Sequence, residues 1–140
     1  MEHINGVPLK EGEMMLGNKL LVTVLPAVDL KRAKDFYTNK IGLKVSKESS
    51  EGILLQGPGG KSNLYLYEHG PTKADHTVAA FVVDDLEKEV QKLKDKGVKF
   101  EEYDTPQLKT VNSIATREYG KSAWFKDTEG NIISISNINI

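Results

Sequence analysis

Apolar residues along this chain fall into two successive arrangements of the same kind: a β-branched run, a helical stripe, then short alternating segments. The run Leu20–Val28 (LLVTVLPAV) is rich in branched side chains and has Pro26 near its end, which predicts a strand running into a turn. Asp29 follows, and Leu30, Ala33, Phe36, Tyr37 and Ile41 recur at helical spacing until Gly42 stops the pattern. The Asp29 carboxylate is placed to accept from free N–H groups of the first turn. Short strands are expected at Leu43–Lys47, Gly52–Gln56 and Asn63–Glu68, separated by Ser49-Ser50-Glu51 and by Gly57-Pro58-Gly59-Gly60. The order then recurs. His76–Val83 reads as a strand, Asp84-Asp85 as a cap, Leu86, Val90 and Leu93 as a helical stripe, and Gly97 as its stop. Val98–Tyr103, Ser122–Lys126 and Asn131–Ser136 read as three further strands, the last two joined by the turn Asp127-Thr128-Glu129-Gly130. Asp104–Lys121, with Pro106 and Gly120, has no clear period and reads as a long irregular loop of the kind that borders sites.

From cap to stop the two helical segments span 13 and 12 residues, Asp29 to Gly42 and Asp85 to Gly97. Each half is strand, helix, three strands, a self-repeat of roughly 55 residues. The fold class is therefore α+β: two tandem βαβββ modules, residues 19–70 and 75–137, forming a curved mixed sheet around a central cleft within one domain, 19–140. A ferredoxin-like α+β domain is the alternative. Residues 1–18, with Gly6, Pro8, Gly12 and Gly17, read as a tail or an added edge segment.

Composition narrows the function. Nineteen Lys and Arg stand against twenty Asp and Glu in 140 residues, so no basic excess exists to neutralise a nucleic acid or an anionic membrane. The longest apolar run, Val78–Val83, is far short of the ~20 residues of a spanning helix. Without cysteine there is no disulfide, thiolate metal site or cysteine nucleophile. No secretory leader is visible at Met1-Glu2-His3, and a cytoplasmic location is expected.

The segment PAVDLKRAKDFYTNKIGLKV resembles the opening module of the vicinal oxygen chelate superfamily, which groups glyoxalase, bleomycin-resistance and extradiol-dioxygenase proteins. FVVDDLEKEVQKLKDKGVKFEEYDTP and SAWFKDTEGNIISI are similar to its second module, and EEYDTPQLKT and AWFKDTEGN to a glyoxalase-like bacterial subgroup. The resemblance implies two βαβββ modules with a shared concave cleft, and often a homodimer, sometimes with modules exchanged. It also implies a divalent metal held by His, Gln or Glu on four strands, which polarises substrate oxygens. Those four positions fall here on Val22, Tyr65, Val78 and Ser134, none of them a strong ligand. No metal and no cofactor are therefore expected.

Strand alternation gives a cleft face without reference to any family. Leu21, Thr23, Leu25, Leu64, Leu66, Ala79, Phe81, Val83, Ile133 and Ile135 share an apolar face suited to helix packing. The other face carries Val22, Val24, Tyr65, Tyr67, His76, Val78, Ala80, Ser134 and Ser136, a mixture suited to an organic ligand. Trp124 borders it or belongs to the core. His76 is a hydrogen-bonding group, a general base or simply a strand start, and a metal held by His76 and Glu68 needs a strand shifted by one residue. Ser134 and Ser136 lack a paired His and Asp for hydrolysis. Lys88, Lys92, Lys94 and Lys96, balanced by Glu87, Glu89 and Asp95, form a solvated helix face. The expectation is a metal-independent small-molecule-binding protein using Val22, Val24, Tyr65, Tyr67, His76, Val78, Trp124 and Ser134. The alternatives are a metal-dependent glyoxalase-like lyase, isomerase or dioxygenase, and a domain that only mediates association.

Overall fold

The computed structural model describes residues 3–4, 7–8, 16–118 and 120–138. The expected tail, 1–18, lies largely outside them. Within it His3–Ile4 pairs antiparallel with Val7–Pro8, and Leu16–Asn18 makes one tight helical turn.

Two βαβββ modules are present. The first comprises β1 (Thr23–Ala27), α1 (Leu30–Phe36), β2 (Lys44–Glu48), β3 (Gly52–Gln56) and β4 (Asn63–Glu68). The second comprises β5 (Thr77–Val82), α2 (Leu86–Asp95), β6 (Ala115–Arg117), β7 (Gly120–Lys126) and β8 (Ile132–Ile138). The sheets share one plan, β1-β4-β3-β2 and β5-β8-β7-β6, with the first and last strands of each module parallel and the other pairs antiparallel. Both caps form as expected: Asp29 Oδ1 accepts from the Arg32 amide at 3.0 Å and Asp85 Oδ1 from that of Lys88 at 3.2 Å. Each such cap contributes about 1 kcal/mol.

Three elements differ from the sequence pattern. Leu20 and Leu21 stand exposed ahead of β1, whose ladder begins where Thr23 meets Leu64. The first helical stripe is α-helical only to Phe36 and then widens into a π turn, Tyr37–Ile41, closed by Gly42 at φ 93°. The third difference is in the second module, where the place expected for a strand at Val98–Tyr103 is shared by two pieces. Phe100 bridges Phe125 and the Glu101 amide donates to the Trp124 carbonyl at 2.7 Å, while Ala115–Arg117 pairs with the other end of β7. Asp104 and Pro106 divert the chain between them, so alternation at Val98 and Phe100 marks one short bridge, and β6 lies inside the segment read as irregular.

A single core joins the modules. Leu25, Leu55 and Leu66 of sheet one pack in the same cluster as Phe125, Ile133 and Ile135 of sheet two, with Ala33 and Val90 from the helices. The helix-bearing faces therefore meet, and the opposite faces of the two sheets turn away from each other. A polar staple crosses beside this core. The Tyr37 hydroxyl donates to Asp127 Oδ2 at 2.6 Å, and Asn131 Nδ2 donates to the same oxygen at 2.8 Å and to the Pro26 carbonyl at 3.1 Å. Asp127 Oδ1 accepts from the amides of Glu129 and Asn131. Glu129 reaches back to the first module, accepting from the Val28 and Asp29 amides and, through both oxygens, from Arg32. Bidentate guanidinium pairing of this kind fixes orientation as well as attraction.

Candidate functional site

The outer face of sheet one is aromatic and apolar. Tyr65 pairs with Val24 on one side and Leu54 on the other, and Tyr67 with Pro26 and Gly52. Val24 is 54% exposed, and both tyrosines are half-buried. A shallow depression of about 410 Å³ lies between Tyr65, Leu54, Gly52 and the β2 residues Lys47 and Glu48. Tyr67 meets His69 edge-on at 5.7 Å.

Gly52 lets the Tyr65 ring lie across β3. A Cβ at Gly52 would collide with the Tyr65 phenol and come within 2.7 Å of the Leu66 carbonyl oxygen. Gly52→Ala is expected to displace the ring and to lower stability by about 1–3 kcal/mol. Gly70→Ala, where nothing lies within 4 Å, is expected to be neutral. Urea melts of the two variants check this, and equal stabilities would refute the role of Gly52.

The outer face of sheet two is smaller-grained and covered. Ser134 lies between Ala80 and Trp124 on neighbouring strands, and the Ser122 and Ser136 hydroxyls are 2.7 Å apart. Trp124 is buried with Ala115 and Ile132 in a cluster separate from the main core, against Tyr103 and Leu108. Tyr103 stands edge-on to it at 5.5 Å, and the Arg117 guanidinium lies 5.8 Å from its ring centre. The covering segment is internally tied. Glu102 accepts from Thr110 Oγ1 and from both the amide and hydroxyl of Ser113, and these bonds, the Ser113 hydroxyl first, hold its carboxyl below the usual range. They also span Asn112 and Ser113, whose φ of 52° and 75° are uncommon for residues other than glycine.

The eight residues expected at one cleft are thus divided. Val24, Tyr65 and Tyr67 share the outer face of sheet one, with Val22 half-buried just ahead of β1. Ser134 and Trp124 share that of sheet two, and within one chain the two groups do not converge. Val78 stands apart from that face: a bulge sets Thr77 opposite Ile132 but Ala79 opposite Ile133, and the extra residue, Val78, packs on the main core. His76 lies outside the sheet. It precedes β5, its side chain is 72% exposed, and Nδ1 lies 3.2 Å from the carboxylate of its neighbour Asp75. The Ser122–Ser136 hydroxyl pair has no signal in the sequence pattern: Ser122 lies one strand over from Ser136, and only the ladder register brings them together.

The donor set does not fit a divalent metal. Val22 and Val78 have no donor atom, Ser134 offers only a hydroxyl, and Tyr65 only a phenol, which divalent ions take far less readily than imidazole or carboxylate. Among the described residues no three His, Asp or Glu side chains are grouped closely enough to hold an ion.

The chain belongs to the glyoxalase/bleomycin resistance protein/dioxygenase superfamily, whose sequence profile matches residues 19–135. Solved structures of like fold include a bleomycin-binding protein complexed with bleomycin, 18% identical over 87% of this chain and 100% of that one, with a TM-score of 0.67. A mutant of the fosfomycin resistance protein FosX from Listeria monocytogenes, complexed with Mn(II), is 15% identical over 88% and 92%, with a TM-score of 0.63. Lactoylglutathione lyase from Agrobacterium tumefaciens is 18% identical over 86% and 93%, with a TM-score of 0.61. No curated protein matches the chain. Among the described residues no helix is long and apolar enough to cross a membrane.

Proposed function

We propose that this chain is a metal-independent small-molecule-binding protein of the glyoxalase/bleomycin-resistance type, acting as a homodimer. The outer face of sheet one in one copy meets that of sheet two in the other, with an aromatic organic ligand between them. The observation that carries the reading is the donor-poor, ring-rich character of those faces. Tyr65 and Tyr67 offer half-open π surfaces, with Glu48 at the rim of the depression and His69 against Tyr67, while Trp124, Ser134 and the Ser122–Ser136 pair lie buried on sheet two. Val24 and Val82, 54% and 52% exposed on the edge strands β1 and β5, support a second copy as the cover of these faces.

Sedimentation is expected to give a dimer that Val24→Asp splits. A panel of antibiotics that carry planar aromatic groups, bleomycin included, is expected to yield a binder weakened at least tenfold by Tyr65→Ala. Micromolar Ni²⁺, Zn²⁺, Mn²⁺ or Fe²⁺ should leave the melting temperature unchanged, whereas a site at a hundredfold excess over Kd would add about 2.7 kcal/mol. One equivalent of metal surviving dialysis overturns the reading in favour of a metal-dependent lyase, isomerase or dioxygenase.

A further inference from the structure

The two sheets leave an opening between the modules on their helix-bearing sides, where α2 passes the π turn. A cavity of about 370 Å³ lies there, away from the faces that carry Tyr65 and Ser134. Its floor is apolar: Leu43, Phe125 and Ile135 are buried, while Phe81, Val83 and Leu93 pack on the core yet stay only half-buried. A second cavity of about 220 Å³ shares Leu43, Ser62 and Phe81 with it and extends towards Asn63. Apolar side chains left half-open around such a space are normally covered by something.

The mouth is basic. Lys40, Lys92 and Lys96 line it with a single acid, Glu89. Spacing explains part of this: 89, 92 and 93 are three or four apart, so Glu89, Lys92 and Leu93 stand on one face of α2, and Lys96 follows as the residue that caps its C-terminus. The sequence pattern makes Lys92 and Lys96 part of a solvated, balanced helix face, but here the local balance is three cations to one anion. Glu89 meets Lys92 at 3.6 Å with both side chains exposed, a pairing that water and salt weaken. Lys40 Nζ donates to the Lys96 carbonyl at 2.6 Å, which fixes one ammonium at the rim. No carboxylate pairs with the Lys96 ammonium among the described residues.

We propose that this inter-module cavity is a second ligand site, taking an amphipathic organic anion with an apolar chain and one terminal carboxylate. The space suits about a dozen non-hydrogen atoms, at roughly 30 Å³ for each water-sized group. The apolar body covers Phe81, Val83 and Leu93, and the carboxylate stays at the mouth between Lys92 and Lys96, where it keeps most of its hydration. Lysine suits that role, because its flexible stem lies along the apolar wall while the charge remains in water. The site does not rest on the outer-face reading above and shares none of its residues.

Decanoate is the probe, titrated into methyl-labelled full-length protein and followed by NMR. Saturable binding is expected, with shifts at the methyls of Val83, Leu93 and Ile135 and none at Val24 or Val82. Decanol and decylammonium should bind at least tenfold more weakly. The double variant Lys92→Gln/Lys96→Gln, whose side chains are exposed, should lose at least tenfold in decanoate affinity while the melting temperature changes by only a few degrees. Tyr65→Ala should leave the affinity as it is. Absence of saturation, equal binding of decylammonium, or shifts confined to Val24 and Val82 would each overturn the proposal. The last result would assign decanoate to the outer face, so the two readings fail separately.

Discussion

Replacing Asp127 by Ala is expected to destabilise the protein by about 3–5 kcal/mol and to lower its melting temperature by roughly 10 °C or more. Four donors converge on this buried carboxylate: the Tyr37 hydroxyl, the Asn131 side-chain amide, and the backbone N–H groups of Glu129 and Asn131. Truncation strips the Tyr37 hydroxyl and the two backbone amides of this partner and leaves Asn131 Nδ2 only its bond to the Pro26 carbonyl, and each unsatisfied buried group costs about 1–3 kcal/mol before relaxation. Tyr37→Phe removes one donor and leaves three, so a loss of only about 1–2 kcal/mol is expected. Burial first, and then the Asp127 charge, push the Tyr37 phenol far above its ordinary pKa, so it stays a donor throughout the stable pH range. Calorimetric melts of the two variants decide the matter. A loss below 1 kcal/mol for Asp127→Ala would mean that the Asp127 network adds little to the junction between the modules.

Acid should weaken the same junction through Glu129. Burial by itself would raise this carboxyl, whose side chain is 1% exposed. Hydrogen bonds from Arg32, Thr128 and the Asp29 amide outweigh that and hold it at about 2, against an ordinary value near 4.5. Because the folded value is the lower one, the stabilisation is complete above pH 4.5 and is lost as the pH falls towards 2. A depression of this size corresponds to on the order of 3 kcal/mol. Comparing Glu129→Gln with the parent by urea unfolding should show a gap of that order at neutral pH that closes across this acid window. A gap independent of pH would place the contribution in packing instead.

The repeat, both aspartate caps and the glycine stops could be read directly because each is a local device. A carboxylate one residue before a helix and a glycine at positive φ after it need no knowledge of the rest of the chain. The core face was legible for the same reason, since Leu25, Leu66, Phe81 and Ile133 follow simple alternation. Val78 defeated that rule because a single inserted residue reverses the face of what precedes it. His76 falls outside the ladder because pairing starts at Thr77, a boundary that alternation alone does not fix. The division of the expected site between two outward faces was not legible at all. Alternation says which residues share a side of a sheet, but not which side of a second sheet it meets. The staple from Asp127 and Glu129 to Tyr37 and Arg32 joins residues about a hundred positions apart, and no spacing rule announces it.

The split edge of sheet two bears on how this scaffold can change. Phe100 is fixed to Phe125 and Ala115 to Ser122, so the ladder is anchored on both sides of the excursion over residues 102–114. Chain added to or removed from that excursion shifts no strand register and reverses no side chain on β7. Residues such as Leu108, which roof Trp124, can therefore be exchanged, lengthened or grafted from another protein without rebuilding the sheet. The sheet framework and its covering segment thus occupy separate stretches of sequence, which makes this segment the natural place to direct a mutagenesis library.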